Sequence, residues 1–379
     1  TVPGDHVAVA LRRHKRFADG RLQQVLTPGA SRVVAPCVHY DGDRCGGCQL
    51  QHMSYEAQLE AKRDIVVQAF RRIGRREVTV DEIVASPAPW AYRNKLTLTL
   101  RRGPAGWYAG LRAYDNPDAV FALRECPITS ERVLSAWGEV MAASDLLPAA
   151  DELRGMVRDT GEGAAFHLSG GTSWAEAATF ASRCASLRSI RWEDQRGEVR
   201  TLRVDASGAT SAASFAQVNT QLAGALHDRA ASLATSRDPV RVIDAYGGSG
   251  ALAGRMRAAG REVILIELDG DATRLARQEL GGEVRVVTAR VEERLTRELP
   301  ADAVVLNPPR TGVDAAVCHA LEQATPRAAT IVYVSCDPAT LARDVARLPS
   351  WRVASLTLFD MFPQTAHVET VCELVPEGA

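Results

Sequence analysis

The 379-residue chain has no apolar run long enough to cross a bilayer: Val240–Ala245 and Thr330–Val334 are only strand-length. That excludes helical membrane insertion, and no membrane partner is expected. No secretory-signal pattern opens the sequence, which favours a cytoplasmic location. It starts at Thr1 without Met and runs straight into strand-like Val7–Leu11, so residues preceding Thr1 are expected to be missing. Internal repeats and low-complexity segments do not stand out, which argues against solenoids and disordered tails. Net charge is nearly absent at −1, but it is unevenly spread. Residues 1–126 hold 19 Lys+Arg against 13 Asp+Glu, and the remainder holds 26 against 33. Arg12-Arg13-His14-Lys15-Arg16 and the Arg71-Arg72 and Arg75-Arg76 pairs concentrate the positive part. Such clusters either neutralise phosphates or are solvated faces of ordinary elements. Eight unevenly spaced cysteines without a signal peptide do not make a disulfide framework.

What is present divides into three stretches. Residues 1–36 read as a β fragment too small to fold alone, with apolar Val7–Leu11 and Leu22–Leu26 either side of a basic turn. Residues 37–205 read as a central domain that opens with a cysteine- and glycine-rich loop. A helix is expected over 54–73, with Leu59, Ile65, Val66, Ala69, Phe70 and Ile73 at near-helical spacing. Short alternating segments follow; Lys95–Leu100 has period two, and the expectation is a mostly antiparallel α+β layer. From 206 to 379 the rhythm is strand, turn, helix, with strands at 240–244, 262–267, 284–287, 303–306 and 329–334. That alternation predicts an α/β, Rossmann-like domain whose parallel sheet is covered on both faces, with its ligand crevice at the carboxyl ends of the strands.

Three constellations carry chemistry. In the first, a strand runs into Asp244-Ala245-Tyr246-Gly247-Gly248-Ser249-Gly250, where the missing Cβ atoms let backbone approach a ligand. Glu267 ends the next strand and can accept ribose hydroxyls. Gly248-x-Gly250 lacks the third glycine of the dinucleotide fingerprint, which favours S-adenosylmethionine over a nicotinamide cofactor. In the second, Cys37, Cys45 and Cys48 share one loop and Cys126 lies apart; four thiolates could hold zinc or an iron–sulfur cluster. Gly46-Gly47 lets amides reach inorganic sulfur, so a [4Fe–4S] cluster is the first expectation and zinc the second. The third comprises Asn307-Pro308-Pro309-Arg310, Ser335-Cys336-Asp337-Pro338 and His367-Val368-Glu369-Thr370. A thiol after a buried strand, a later carboxylate and a preceding Pro-Pro loop suit covalent chemistry on a flat heterocycle.

These elements, in this order and over nearly the whole chain, resemble the RNA uridine carbon-5 methyltransferases, most of all the iron–sulfur-containing members that act on 23S ribosomal RNA. The resemblance adds Gln49-Leu50-Gln51-His52 after the third cysteine, Phe215-Ala216-Gln217-Val218-Asn219, and the run from Val334 to Asp344. It implies a class I S-adenosylmethionine-dependent methyltransferase domain. Val2-Pro3-Gly4-Asp5 resembles the middle of the small RNA-binding barrel (TRAM, OB-like) that precedes many members, here only partial. The resemblance assigns the nucleophile to Cys336, the base to Glu369, and cluster ligation to Cys37, Cys45, Cys48 and Cys126. It places Gln217, Tyr246, Gly248, Gly250, Glu267 and Asn307 at the cofactor, and Phe215 and Arg310 at the uridine. The expected substrate is looped or single-stranded RNA, ribosomal before transfer RNA, and the expected state is a monomer.

The chain departs from the family pattern at three points. Asn307 stands where an aspartate is usual, which removes a charge near the sulfonium; Arg290 stands where relatives often place a neutral or acidic adenine contact; and the gap from Cys37 to Cys45 is two residues longer. Asn-Pro-Pro also fits methyltransferases of exocyclic amines, but Arg310 replaces the aromatic that they need and they use no cysteine. An RNA-binding protein with a decayed catalytic domain would not be expected to keep both Cys336 and Glu369. Cys184, Cys318 and Cys372 match no motif and read as core residues.

Overall fold

The computed structural model describes residues 1–204 and 217–378. The chain divides into two compact units, one of Thr1–Gln58, Ala88–Val218 and Pro363–Ala366, the other of Leu59–Pro87, Asn219–Phe362 and His367–Ala379.

The first unit begins with an antiparallel hairpin, His6–Arg13 with Ala18–Thr27, whose faces are largely exposed. Its main layer is a seven-stranded sheet in the order Val199–Arg203, Leu187–Glu193, Ala164–Ser169, Glu152–Asp159, Lys95–Gly103, Gly106–Ala113, Asn116–Ala122. All neighbours are antiparallel except Ala164–Ser169 and Leu187–Glu193, which the helix Ala177–Arg183 links in parallel. The period-two pattern holds in Lys95–Gly103: Leu96, Leu98 and Leu100 turn inward onto Trp137, Phe166 and Phe180. The amphipathic helix Glu131–Ala142 covers that face with Val133, Ala136, Trp137 and Val140.

The second unit is an eight-stranded sheet in the order Val284–Thr288, Glu262–Glu267, Arg241–Ala245, Ala303–Leu306, Thr330–Ser335, Glu369–Pro376, Trp351–Phe359, Glu82–Val84. Seven of the eight strands run in one direction, five of them as the alternating rhythm predicts. Glu369–Pro376 does not: it inserts antiparallel between Thr330–Ser335 and Trp351–Phe359. Helices cover both faces, so the central strands are mostly apolar. Alternate residues serve different cores: Ile243, Ile264, Val304 and Ile331 face one, while Val242, Val263, Val305 and Val332 face the other.

The helix expected over 54–73 is Tyr55–Ala69, continued as a wider turn over Phe70–Gly74. Its buried stripe differs from the expected one. Ile65 and Ile73 are exposed, whereas Gln58 and Lys62 are buried in line with Val66 and Phe70. Lys62 is tolerated there because its ammonium pairs with the Asp360 carboxylate, also fully buried, and donates to the Phe362 carbonyl at 3.0 Å. Cys184, Cys318 and Cys372 are core residues.

Candidate active site

The glycine turn is shaped by close packing. Tyr246 takes a left-handed backbone (φ 61°), as do Gly248 and Gly250. A Cβ on Gly250 would come 2.4 Å from Leu280 Cδ1, so only glycine fits without movement. The N–H groups of Tyr246 and Gly247 both donate to the Ile266 carbonyl, at 2.9 and 3.2 Å, locking the turn to the neighbouring strand end. Glu267 is oriented by two backbone donors: Gly248 N–H reaches Oε2 at 3.0 Å and Asp269 N–H reaches Oε1 at 2.8 Å. The Tyr246 ring packs partly buried against the core, and that burial raises its hydroxyl pKa.

Beneath the turn lies Asp244, which the sequence reading quoted but gave no role. It is fully buried; Oδ2 accepts Ala253 N–H at 3.0 Å and Oδ1 has no hydrogen-bond partner. Burial, opposed by the Ala253 bond and reinforced by the charge of Glu267, pushes its carboxyl up to about 7.

Cys336 and Glu369 sit at the carboxyl end of the strand Thr330–Ser335. Ser335 pairs with Thr370 on the adjacent antiparallel strand, so Cys336 and Glu369 are the next residues beyond that ladder pair. Facing residues of an antiparallel pair have Cα atoms about 4.5–5.5 Å apart, so these two groups are neighbours at the sheet end. Ser335 Oγ donates to the Asp337 carbonyl at 3.1 Å and accepts its N–H at 3.2 Å, which pins the turn carrying Cys336. The helix Pro338–Ala346 then starts with Asp337 as N-cap, its side chain accepting Thr340 N–H at 2.8 Å, and proline in the first turn.

That helix also holds the Pro-Pro-Arg loop. Thr340 Oγ1 donates to the Arg310 carbonyl at 3.1 Å, Arg343 to the Thr311 carbonyl at 2.8 Å, and Val313 N–H to Asp344 Oδ2 at 3.0 Å. Gly312 (φ 78°) leaves room for this: a Cβ there would fall 2.2 Å from Thr340 Cγ2 and 2.3 Å from Asp344 Oδ2. The fully buried Asp344 further accepts from Tyr333 hydroxyl at 2.8 Å and pairs with Arg343 and Arg347. It was visible in the sequence only as the last residue of the cysteine motif.

Three ionisable groups interact across the site. Burial raises the Cys336 thiol, the Glu369 carboxylate raises it further, and the Arg310 guanidinium opposes both. Burial pushes the Glu369 carboxyl, 6 % exposed, up to about 8, with Arg310 opposing. Arg310 itself is exposed. Asn307 sits at the carboxyl end of the strand beside the glycine turn, its N–H donating to the Ala245 carbonyl at 3.1 Å. Arg290 turns towards its own helix, 3.4 Å from Glu292 and 3.9 Å from Glu293. Gln217, in the first unit, is half-buried and its carbonyl accepts Asn94 Nδ2–H at 3.2 Å. Phe215 lies outside the described residues.

In the first unit, Cys37, Cys45, Cys48 and Cys126 all line one cavity of about 190 Å³. Burial and their neighbouring sulfurs raise the thiols of Cys37, Cys45 and Cys48, the last to about 12. Among the described residues, no three His, Cys, Asp or Glu side chains converge closely enough to hold a single metal ion. The two cysteine segments are nevertheless joined by protein groups. Buried His39 accepts the Arg124 N–H at Nε2 (2.9 Å), so Nδ1 is the donor to Asp43 at 2.7 Å, and Glu125 Oε1 accepts Val38 N–H at 3.1 Å.

The sheet order, with one antiparallel strand inserted between Thr330–Ser335 and Trp351–Phe359, and the glycine turn at the end of the central strand define a class I S-adenosylmethionine-dependent methyltransferase. A family model described as tRNA (Uracil-5-)-methyltransferase matches residues 272–375. An uncharacterized RNA methyltransferase of Thermosynechococcus vestitus is 33 % identical, over 99 % of this chain and 91 % of its own length. One of Halalkalibacterium halodurans is 31 % identical, over 100 % and 90 %. The solved tRNA (uracil-54, C5)-methyltransferase of Pyrococcus abyssi, in complex with S-adenosyl-L-homocysteine, superposes with a TM-score of 0.73, at 24 % identity over 98 % of this chain and 94 % of that one. The chain belongs to the S-adenosylmethionine-dependent RNA (uracil-5-)-methyltransferase family. Among the described residues, no helix is long and apolar enough to cross a membrane.

Proposed function

We propose that this enzyme methylates carbon-5 of a specific uridine through a covalent bond between Cys336 and carbon-6. The observation that carries the reading is the placement of Cys336 and Glu369 one step beyond the Ser335–Thr370 pair on neighbouring strands. Carbon-5 of uracil is a weak nucleophile. Addition of the Cys336 thiolate to carbon-6 moves the ring electrons to carbon-5 and the carbonyl oxygen, making carbon-5 nucleophilic. S-adenosylmethionine, when bound, supplies an electrophilic methyl group and leaves as the homocysteine thioether. The Glu369 carboxylate then takes the carbon-5 proton; the released electron pair re-forms the ring double bond and expels the Cys336 thiolate. Arg310 lowers the pKa of both groups, and so favours the ionised forms that these steps need.

Cofactor positioning is proposed for Gly248, Gly250, Glu267, Tyr246 and Asn307, which gather at the ends of adjacent strands. Only the resemblance supports Gln217 as a cofactor contact and Phe215 and Arg310 as uridine contacts. Ribosomal RNA is the favoured substrate because the four-cysteine set resembles members acting on it. Transfer RNA is the second reading, favoured by the activity of the Pyrococcus abyssi enzyme and by the name of the matching family model. We further propose that Cys37, Cys45, Cys48 and Cys126 hold a [4Fe–4S] cluster. The resemblance and four thiols lining one cavity support this reading. Such a group supplies a cross-link between distant segments.

The test is RNA carrying 5-fluorouridine, whose fluorine cannot leave as a proton would. With cofactor present, the enzyme is expected to form a denaturation-resistant protein–RNA adduct that Cys336→Ala abolishes. Absence of an adduct alongside methylated adenine or cytosine would overturn the reading. Tritium transfer to ribosomal and transfer RNA transcripts separates the two substrates. Iron and sulfide content after anaerobic purification separates cluster from zinc.

A further inference from the structure

Pro363–Ala366 belongs to the first unit, although Phe362 and His367 on either side belong to the second. These four residues are gripped almost entirely by groups from the start of the chain. Gln58 makes a two-pronged contact with Gln364: its Nε2 donates to Gln364 Oε1 at 2.9 Å, and its Oε1 accepts the Gln364 N–H at 2.9 Å. The Gln364 carbonyl accepts the N–H groups of both Gln49 and Leu50, each at 3.0 Å. Gln49 Oε1 accepts Ala366 N–H at 3.2 Å, while its Nε2 donates back to the Gly46 carbonyl at 2.7 Å. Tyr92 hydroxyl donates to the Pro363 carbonyl at 3.0 Å. Gln364 is 2 % exposed and holds a left-handed backbone (φ 69°), unusual for a residue with a Cβ.

The partners are not arbitrary. Gln49 and Leu50 directly follow Cys48, so the loop carrying three of the four cavity cysteines also holds the Gln364 carbonyl. Downstream, only His367 and Val368 separate Ala366 from Glu369, and three peptide steps reach at most about 11 Å. A displacement of Ala366 therefore has little chain in which to dissipate before it reaches the carboxylate.

We propose that Gln364, clamped by Gln58 and Gln49, is a positioning residue for Glu369, and that through it the cysteine loop sets the geometry of the deprotonation step. The inference rests on Glu369 being the base of the proposed reaction. It makes a specific demand, because the clamp acts on the second half of the cycle. Cys336 is reached through a different strand, so addition to carbon-6 and methyl transfer should proceed when the clamp is loosened, whereas release of the adduct should not.

The experiment uses the full chain with natural-uridine RNA and S-adenosylmethionine. Covalent protein–RNA species are quantified on denaturing gels beside kcat and KM. Glu369→Gln serves as the reference that retains addition and loses elimination. Gln58→Ala, which removes both amide contacts, and Gln364→Asn, which keeps a residue tolerant of left-handed backbone, are each expected to form adduct within about twofold of the wild-type rate. Both should accumulate it, and kcat should fall roughly 10- to 100-fold with KM little changed. Gln58→Glu, which keeps the acceptor for the Gln364 N–H, should recover part of the loss. If Glu369→Gln traps adduct but the two clamp variants turn over like wild type, or lose adduct formation and turnover together, the clamp is overturned. If Glu369→Gln itself traps none, the assignment of the base falls, and the clamp with it.

Discussion

Glu369 and Asp344 are both buried acids, but they make opposite predictions. Among the described residues Glu369 has no ion pair, and burial, opposed by the Arg310 charge, pushes its carboxyl up to about 8. The folded state therefore holds a proton that the unfolded chain releases near 4.5. Stability from this group is complete at low pH and is lost as pH rises from about 4.5 to about 8, after which the loss is constant. Glu369→Gln should match wild type in urea melts near pH 4 and exceed it by roughly 2–4 kcal/mol at pH 8.5. Activity runs the other way: in the proposed mechanism turnover needs the Glu369 carboxylate, so the wild-type rate should climb with pH up to about 8, a rise that Glu369→Gln lacks. Asp344 has four partners, Val313 N–H, Tyr333 hydroxyl, Arg343 and Arg347. Removing it leaves buried donors unsatisfied; Asp344→Ala should cost about 3–5 kcal/mol in the same melts. Neither environment was legible in the sequence. Both residues lie in quoted motifs, but Glu369 is buried where its strand inserts between Thr330–Ser335 and Trp351–Phe359, and Asp344 where the loop at Val313 folds back onto it.

Among elements, the turns carry more of the site than the strands do. The glycine turn was readable because strand, Gly-x-Gly and helix follow one another within the sequence, and the structure adds the steric reason at Gly250. Gly250→Ala forces a Cβ onto Leu280, so isothermal titration should show cofactor binding weakened at least tenfold, with the melting temperature lowered. Gly312 attracted no attention as part of a motif, yet it lets the Pro-Pro-Arg loop lie against the helix Pro338–Ala346. Gly312→Ala should displace Arg310 and depress adduct formation, read on 5-fluorouridine RNA, more than cofactor binding. The helix Tyr55–Ala69 gives the converse lesson. Its period was legible, but the stripe was drawn through Ile65 and Ile73 because apolar residues were assumed to face inward. Gln58 and Lys62 occupy the inward line instead, each matched by a polar partner distant in sequence.

On the scale of the whole molecule, the chain crosses between its two units several times, and Pro363–Ala366 is the shortest visit. The first unit holds the cysteine cavity, joined by the His39 and Glu125 contacts that tie the Cys37 segment to the Cys126 segment. If these cysteines hold the proposed cluster, Cys126→Ser should lower iron content and the melting temperature together, and an iron chelator should reproduce the shift in wild type but not in the variant. The charge asymmetry was legible from counting alone. The basic Arg12–Arg16 run lies in and around the tip of the exposed hairpin, as an RNA-facing element would require.

The sequence by itself determined which chemistry is available, because reactive groups and the glycines that admit a ligand are local properties written in short spans. It also determined the alternating rhythm of the second unit, since hydrophobic period is local too. Tertiary structure alone decided that the last strand runs antiparallel, bringing Glu369 to Cys336, because strand direction is chosen by how a chain returns to its sheet. It alone decided which acids have their pKa raised by burial, since desolvation is summed over neighbours from every part of the chain. And it placed two glutamines from the start of the chain around a third near its end, a contact that no local pattern encodes.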